Sequence, residues 1–461
     1  MVVKLYSHKR GYTVTLLRTL KNIFSIADLR RKLFFTLGVL VVYRIGVHIP
    51  VVGVNTAALA LKIQEASLFG KLLGYLDVFS GGALSQCTVF ALGVSPYITA
   101  SIMMQILGFT VPYFEQLLKE GDYGRKVINQ YTRYLALGLS VMYSLMYAAA
   151  LESQGLVLIP GWGFRTLFVL SLSVGCMIVM WLGEQISLMG IGNGSSMIIF
   201  AGIVAHFPSY VIRTIEYARS GVLYHGSLPG MNWIIALAIW LALVAITICI
   251  IFLEKGERKI PVQYARRMIG NRVYGGQSSF IPFKINSAGV MPVIFAGSIL
   301  TIPMAITGFF GGMFPFMARL GQHFTQSAPV YNVLQFILIV ALYFFYTALI
   351  FNPTELADII KKNGGFIPGI RPGRKTAEFF DNVLTRLGLV GSIYLAFLAA
   401  LPNIMIALVG AAKMPFVLGG TALLIVVGVG LELASQMESY LIEHNYAGFL
   451  SSGRMKTRSA R

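Results

Sequence analysis

The sequence predicts an all-α polytopic membrane protein with ten transmembrane helices in two inverted five-helix halves. Three observations carry that prediction. Of 461 residues, 56% are hydrophobic and only 12% charged, and the mean hydropathy is +0.73, a balance suited to lipid rather than water. Apolar runs of about 20 residues recur along the chain, and that is the length a helix needs to cross the hydrocarbon layer. Lys and Arg gather in alternate connections, the signature of a chain that crosses repeatedly.

The elements follow in order. Residues 1–32 form an N-terminal segment in which Leu16, Leu17, Leu20, Ile23 and Phe24 recur at helical spacing with Arg18 and Lys21 opposite. That pattern predicts an amphipathic helix on the membrane surface. No short apolar core followed by a small-residue cleavage site precedes the first span, so no removed signal peptide is expected. The N-terminal half, 33–212, holds spans at 33–49, 87–111, 134–151, 166–182 and 195–212. A connection, 213–232, leads to the second half, 233–433, with spans at 233–253, 288–307, 331–351, 387–406 and 416–433. Residues 434–461 form a tail. Five spans per half make the halves enter from opposite faces, the arithmetic of an inverted repeat with a pathway between its halves.

Charge sets the orientation. One set of alternate segments carries Lys4, Lys9, Arg10, Arg18, Lys21 and Arg30 to Lys32, then Lys119, Arg125, Lys126 and Arg133. It continues with basic residues in loops 254–286 and 352–386 and in the tail. The opposite set has only Lys62, Lys71, Arg165, Arg213, Arg219, Arg319 and Lys413. Positive charge in short loops stays in the cytoplasm, so both termini are predicted there.

Catalytic chemistry has little support. Ionisable residues in or beside the spans are few: Arg44, Glu152, Glu184 and Glu432. Arg44 is deepest and must either tie helices together or serve an ion pathway. There is no phosphate-binding Gly-rich loop, since Gly373-Arg374-Lys375-Thr376 breaks the order, and no His-Glu-x-x-His or Gly-x-Ser-x-Gly pattern. Cys87, Cys176 and Cys249 lack metal-ligand spacing and read as small hydrophobes. No cofactor is expected.

Two loops are too long and basic to be plain connections. Residues 254–286 and 352–386 together hold thirteen Lys and Arg. They suit anionic lipids, or acidic partners such as RNA or protein. On the other side, 61–84 is too short to span and too apolar for a free loop. It reads as a helix folded back into a cavity, hinged at Ser80-Gly81-Gly82, or as a helix resting on the outer leaflet.

Several strings then stand together. Tyr-Arg-Ile-Gly-Val-His-Ile-Pro at 43–50, Phe-Ser-Gly-Gly-Ala-Leu at 79–84 and Ala-Leu-Gly-Val-Ser-Pro-Tyr-Ile-Thr-Ala-Ser-Ile at 91–102 are three of them. Trp-Leu-Gly-Glu-Gln and Gly-Ile-Gly-Asn-Gly within 181–194, and Asn-Ser-Ala-Gly-Val-Met-Pro at 286–292, are three more. Phe-Tyr-Thr-Ala-Leu-Ile-Phe-Asn-Pro at 345–353 and Gly-Ile-Arg-Pro-Gly at 369–373 complete the series. In order over about 15–440, these resemble the SecY family, the channel subunit of the bacterial preprotein translocase.

The resemblance implies a channel that passes unfolded polypeptide and releases apolar segments sideways into lipid. It implies a pore ring of Val94, Ile98, Ile199, Ile294 and Ile425, aliphatic enough to dewet when idle. Ser195 departs from the family's aliphatic pattern. It implies a plug within about 62–84 that includes Leu68, Phe69, Leu72, Leu73, Leu76, Phe79, Ser80, Gly81 and Gly82. Spans two and seven resemble the lateral gate, with Thr99, Gln105 and Asn286 expected to hydrogen-bond between them. The basic loops imply docking of the ribosome and the SecA motor ATPase through Arg371, with Arg266, Arg267, Arg272, Lys361 and Lys362. SecE and SecG subunits, signal sequences, nascent polypeptides and anionic lipids complete the implied partners. A secondary transporter with inverted repeats is the alternative, and it needs ionisable groups at mid-membrane, which are scarce. A scaffold that only recruits ribosomes would need neither ring nor plug.

Overall fold

The computed structural model describes residues 26–56, 58–59, 77, 80–223, 233–264, 267–269, 272–274, 278–310, 316, 319–321, 328–409 and 420–452. The predicted amphipathic segment 13–27 lies almost wholly outside them. The first half contains α1 (Ala27–Gly46), α2 (Ser95–Thr110), α3 (Pro112–Lys119), α4 (Asp122–Ser153), α5 (Trp162–Met189) and α6 (Gly194–Leu223). The second contains α7 (Trp233–Lys255), α8 (Met291–Phe310), α9 (Pro329–Ile350), α10 (Pro353–Lys362), α11 (Arg374–Val409) and α12 (Gly420–Ser452). Between α7 and α8 come β1 (Glu257–Tyr264), β2 (Arg267–Ile269), β3 (Arg272–Tyr274) and β4 (Ser278–Lys284); β5 (Gly365–Phe366) follows α10.

Each predicted span has its helix. Among the described residues, seven helices, α4 to α7, α9 (continued by α10), α11 and α12, are long and apolar enough to cross a bilayer, and α2 with α3 forms an eighth as a pair bent by 96°. The bend falls where Pro112 opens α3. The other two, α1 and α8, are 20 residues each, which reaches about 30 Å. The first turns of α1 carry Asp28, Arg30, Arg31 and Lys32, so its apolar part is short.

The second span is shorter than predicted, because part of it is not helix. The helix begins at Ser95, with Pro96 in its first turn, and residues 81–94 are turns apart from an isolated antiparallel bridge between Thr88 and Pro50. Hydropathy alone cannot separate a buried turn from a helix, and this stretch is both apolar and buried. Its backbone is satisfied internally: the Val51 N–H donates to the Cys87 carbonyl (2.9 Å) and the Val89 N–H to the Ile49 carbonyl (3.0 Å). Irregular backbone at membrane depth requires such pairing. Other helices overrun their spans: α6 continues to Leu223 around Pro208, through part of the predicted connection, and α12 runs on to Ser452 in the predicted tail.

One apolar cluster joins the halves, running from Tyr43 and Val94 through Ile199 to Ile339, Leu424 and Ile425. Close approach is built in where α5 meets α6: a Cβ on Gly194 would overlap the Gly183 carbonyl, which explains the glycine at 194. The start of α1 and the middle of α12 lie at one end of the bundle. Leu29 packs with Met437 and Leu441, and the Lys32 ammonium donates to the Tyr440 hydroxyl (2.8 Å) while lying 4.3 Å from that ring's centre.

The two basic loops fold into one unit. β1 pairs antiparallel with β4, from Glu257 opposite Lys284 to Gln263 opposite Ser278, and with β5 through Gln263 opposite Phe366, giving the order β4-β1-β5. Ile260, Val262 and Phe283 pack against Ala357 and Ile360 of α10 and against Ala377, Phe380, Val383 and Leu384 of α11. A strand from one loop thus shares a sheet and a core with the other.

Candidate functional site

A cavity of about 340 Å³ opens between α2, α4, α5, α6 and α8. Val94 and Ile98 enter it from the start of α2, Ile199 from α6 and Ile294 from α8. Four of the five predicted ring residues therefore face one space. Ile425 does not line it; the side chain is fully buried in the cluster that contains the other four. Ser195 does line it, and its hydroxyl donates to the Asn193 carboxamide oxygen at 2.9 Å, so the polar group beside the constriction is satisfied. The other end of the cavity is polar: Gln105, Asn129, Arg133, Glu184, Ser187 and Asn193. Aliphatic side chains deep and polar ones at the rim make a funnel that can solvate a chain and then strip it of water.

On the opposite side of that constriction the base of the predicted plug is clasped by three side chains. The Tyr43 hydroxyl donates to the Ser80 carbonyl (3.0 Å), the Arg44 guanidinium to the Gly81 carbonyl (2.7 Å), and the Tyr147 hydroxyl to the Leu84 carbonyl (3.0 Å). Arg44 thus ties elements together, as one of its two readings required. Gly81 and Gly82 have φ of +69° and +93°, and a Cβ on Gly81 would lie 2.9 Å from the Gly202 Cα. Glycine is needed there twice over, for left-handed backbone and for contact with α6. Asp77 holds this turn by accepting from the Ser85 N–H (2.9 Å) and the Ser80 hydroxyl (3.2 Å). Leu68, Phe69, Leu72, Leu73, Leu76 and Phe79 lie outside the described residues.

The predicted gate helices α2 and α8 touch, but their polar residues bond elsewhere than expected. Thr99 donates to the Ser95 carbonyl (3.0 Å) and Gln105 to the Ser101 hydroxyl (3.3 Å), both within α2. Asn286 donates to the Glu254 carboxylate (2.6 Å) and the Gly289 carbonyl (3.0 Å). A Ser or Thr on a helix finds its own i−4 carbonyl at no packing cost, so it needs no partner across the interface. Asn286 fastens α7 to the entrance of α8.

On the sheet unit, Arg371 is exposed in a loop whose Gly369 and Gly373 have φ of +83° and +102°. The Thr376 hydroxyl donates to the Arg371 carbonyl (3.0 Å), which fixes the loop's backbone. Lys361 and Lys362 are exposed in the last turn of α10, where cations suit the helix dipole. Arg267 and Arg272 lie on the β2-β3 hairpin, opposite Tyr274 and Ile269; Arg266 lies outside the described residues.

Two arrangements were not predicted. Arg133 grips Glu184 from α4 to α5 with two hydrogen bonds, Nε to Oε1 at 2.8 Å and Nη2 to Oε2 at 2.7 Å. Glu184 stands in the Trp-Leu-Gly-Glu-Gln string, the one trace of this pair in the sequence. Glu152 accepts from Arg165 at 2.8 Å near the bundle's other end, so both of these carboxylates are neutralised in pairs. Among the described residues, no group of three or more His, Cys, Asp or Glu is arranged to hold a metal ion.

Apolar helices long enough to span a bilayer, a polar funnel narrowing onto aliphatic side chains and a clasped segment beyond define a class: a gated channel of the helical membrane type. The SecY family model matches residues 88–434. The chain is 43% identical over 438 residues to the protein translocase subunit SecY of Escherichia coli strain K12, covering 94% of this chain and 96% of that relative. To the SecY subunit of Streptomyces galbus it is 46% identical over 442 residues, covering 93% and 98%. Its fold is similar to a solved protein-conducting channel, with a TM-score of 0.62 and 17% identity over 89% of this chain and 92% of that one. A SecY structure described as having a plug domain that stabilises the closed state gives a TM-score of 0.60 at 18% identity, with the same coverage. The chain belongs to the SecY family. It is a protein-conducting channel subunit of the translocase, not an enzyme.

Proposed function

We propose that this chain passes unfolded preproteins across the cytoplasmic (inner) membrane, both termini cytoplasmic, and releases transmembrane segments laterally between α2 and α8. Val94, Ile98, Ile199, Ile294 and Ile425 form the constriction. The segment containing Leu68 to Gly82 is the plug, and Thr99, Gln105 and Asn286 belong to the gate region. Arg266, Arg267, Arg272, Lys361, Lys362 and Arg371 receive the ribosome or SecA, and SecE and SecG complete the complex. The observation that carries this reading is the meeting of four aliphatic residues from three helices at the floor of one funnel. An aliphatic constriction excludes water and ions when empty yet binds no particular side chain, as a conduit for arbitrary sequence requires.

The experiment is crosslinking of an arrested nascent chain to photoreactive groups at 94, 98, 199, 294 and 425. All five adducts are expected on one substrate. Adducts at fewer than three positions overturn the constriction.

A further inference from the structure

A chain arriving at the funnel must cross a strongly basic face, because the two long loops alone carry thirteen Lys and Arg. A signal sequence begins with a positively charged n-region and continues into a 7–15-residue apolar h-region. Its leading end is therefore repelled by the very face through which it enters. Among the described residues that line the cavity, Glu184 is the only carboxylate.

Glu184 sits at the rim rather than the floor, near the end of α5. Met180, one turn earlier, lines the same cavity, about 6 Å along the helix. An apolar contact and a negative charge thus follow one another in the same order as an h-region and an n-region. Arg133 holds Glu184 by a fork-to-fork pair, but the Arg133 side chain is 46% exposed and that of Glu184 22%. A pair so open to water is exchangeable, and a second cation can take the carboxylate while the displaced guanidinium is hydrated.

We propose that Glu184 receives the basic n-region of an incoming signal sequence, and that Arg133 occupies that carboxylate in the idle channel. This rests on the channel reading above. The exchange neutralises the n-region at the rim and leaves the h-region beside Met180, Met291 and Phe295, all of which line the cavity. It also makes Arg133 a selector: once Glu184 is lost, Arg133 stands uncompensated at the entrance and repels the same n-region.

The test uses the full translocase in membrane vesicles with two preproteins that share one h-region, one with Lys in its n-region and one with Gln in the same places. The quantity read is the ratio of their export rates. Glu184→Gln is expected to lower the ratio about three- to tenfold, the effect of one partly hydrated charge. Arg133→Gln is expected to raise it, and Glu184→Asp to keep it. A bracing role alone would move both Gln variants the same way or not at all, and either result overturns the proposal. Independently of any variant, zero-length carbodiimide coupling in the unsubstituted channel should join an n-region Lys to Glu184; coupling only to other carboxylates overturns it. If the unsubstituted channel exports neither preprotein, the channel reading itself fails.

Discussion

Arg44 and Arg371 show how one residue type serves opposite purposes. Arg44 is half-buried and spends its charge on the Gly81 carbonyl, where an unpaired cation would be costly. Arg371 is held by its backbone and leaves its guanidinium in solvent, ready for a planar acidic partner such as a phosphate or carboxylate. Arg371→Glu is expected to slow preprotein translocation about tenfold, equivalent to one charge-assisted contact, with unchanged protein levels; normal export would remove this residue from the docking surface. Both arginines were visible in the sequence as conspicuous charges, but their roles were not equally legible. Composition marks Arg44 as needing a partner without saying that the partner is a backbone carbonyl 37 residues away. Likewise Thr99 and Gln105 were legible as polar residues in lipid-suited spans, whereas the direction of their bonds depends on rotamers that no sequence pattern encodes.

At the scale of elements, hydropathy located a helix at each predicted span but not the helix ends: α2 begins eight residues late, and α4 and α11 begin about a dozen residues before the apolar run. Residues 87–94 are apolar because they are buried, and only Gly93 and the Ser95-Pro96 pair hint that the helix begins later. Ile260 and Val262 alternate with Lys259 and Gln263 in the period of a half-buried strand, but a run this short inside a charged loop is a weak signal beside the charge itself. The turn from Ser80 to Leu84 is anchored by Tyr43, Arg44 and Tyr147, so the chain before it can be shortened without loosening the bundle. Deleting residues 68–76 is expected to leave a folded protein whose reconstituted bilayers conduct ions well above the unmodified level. Unchanged conductance would contradict the plug.

For the whole molecule, α1 and α12 are tied on one side by Lys32 and Tyr440. The α5–α6 connection joins the same knot, where the Gly192 N–H donates to the Gln436 carboxamide oxygen (2.8 Å). If that side is cytoplasmic, a cysteine placed at Arg454 in a Cys-free background reacts with an impermeant maleimide only in inverted vesicles, and one at Arg319 only in right-side-out ones. The opposite pattern reverses the orientation. The sheet that unites the basic loops has a mechanical meaning as well. β4 ends at Lys284 and α8 begins at Met291, with Asn286 pinned to Glu254 between them. The sheet is thus geared to two helices at once, through Gly256 alone to α7 and through the pinned stretch before Met291 to α8, so torque applied to it reaches the funnel wall together with its neighbour, like a crank fixed to two shafts.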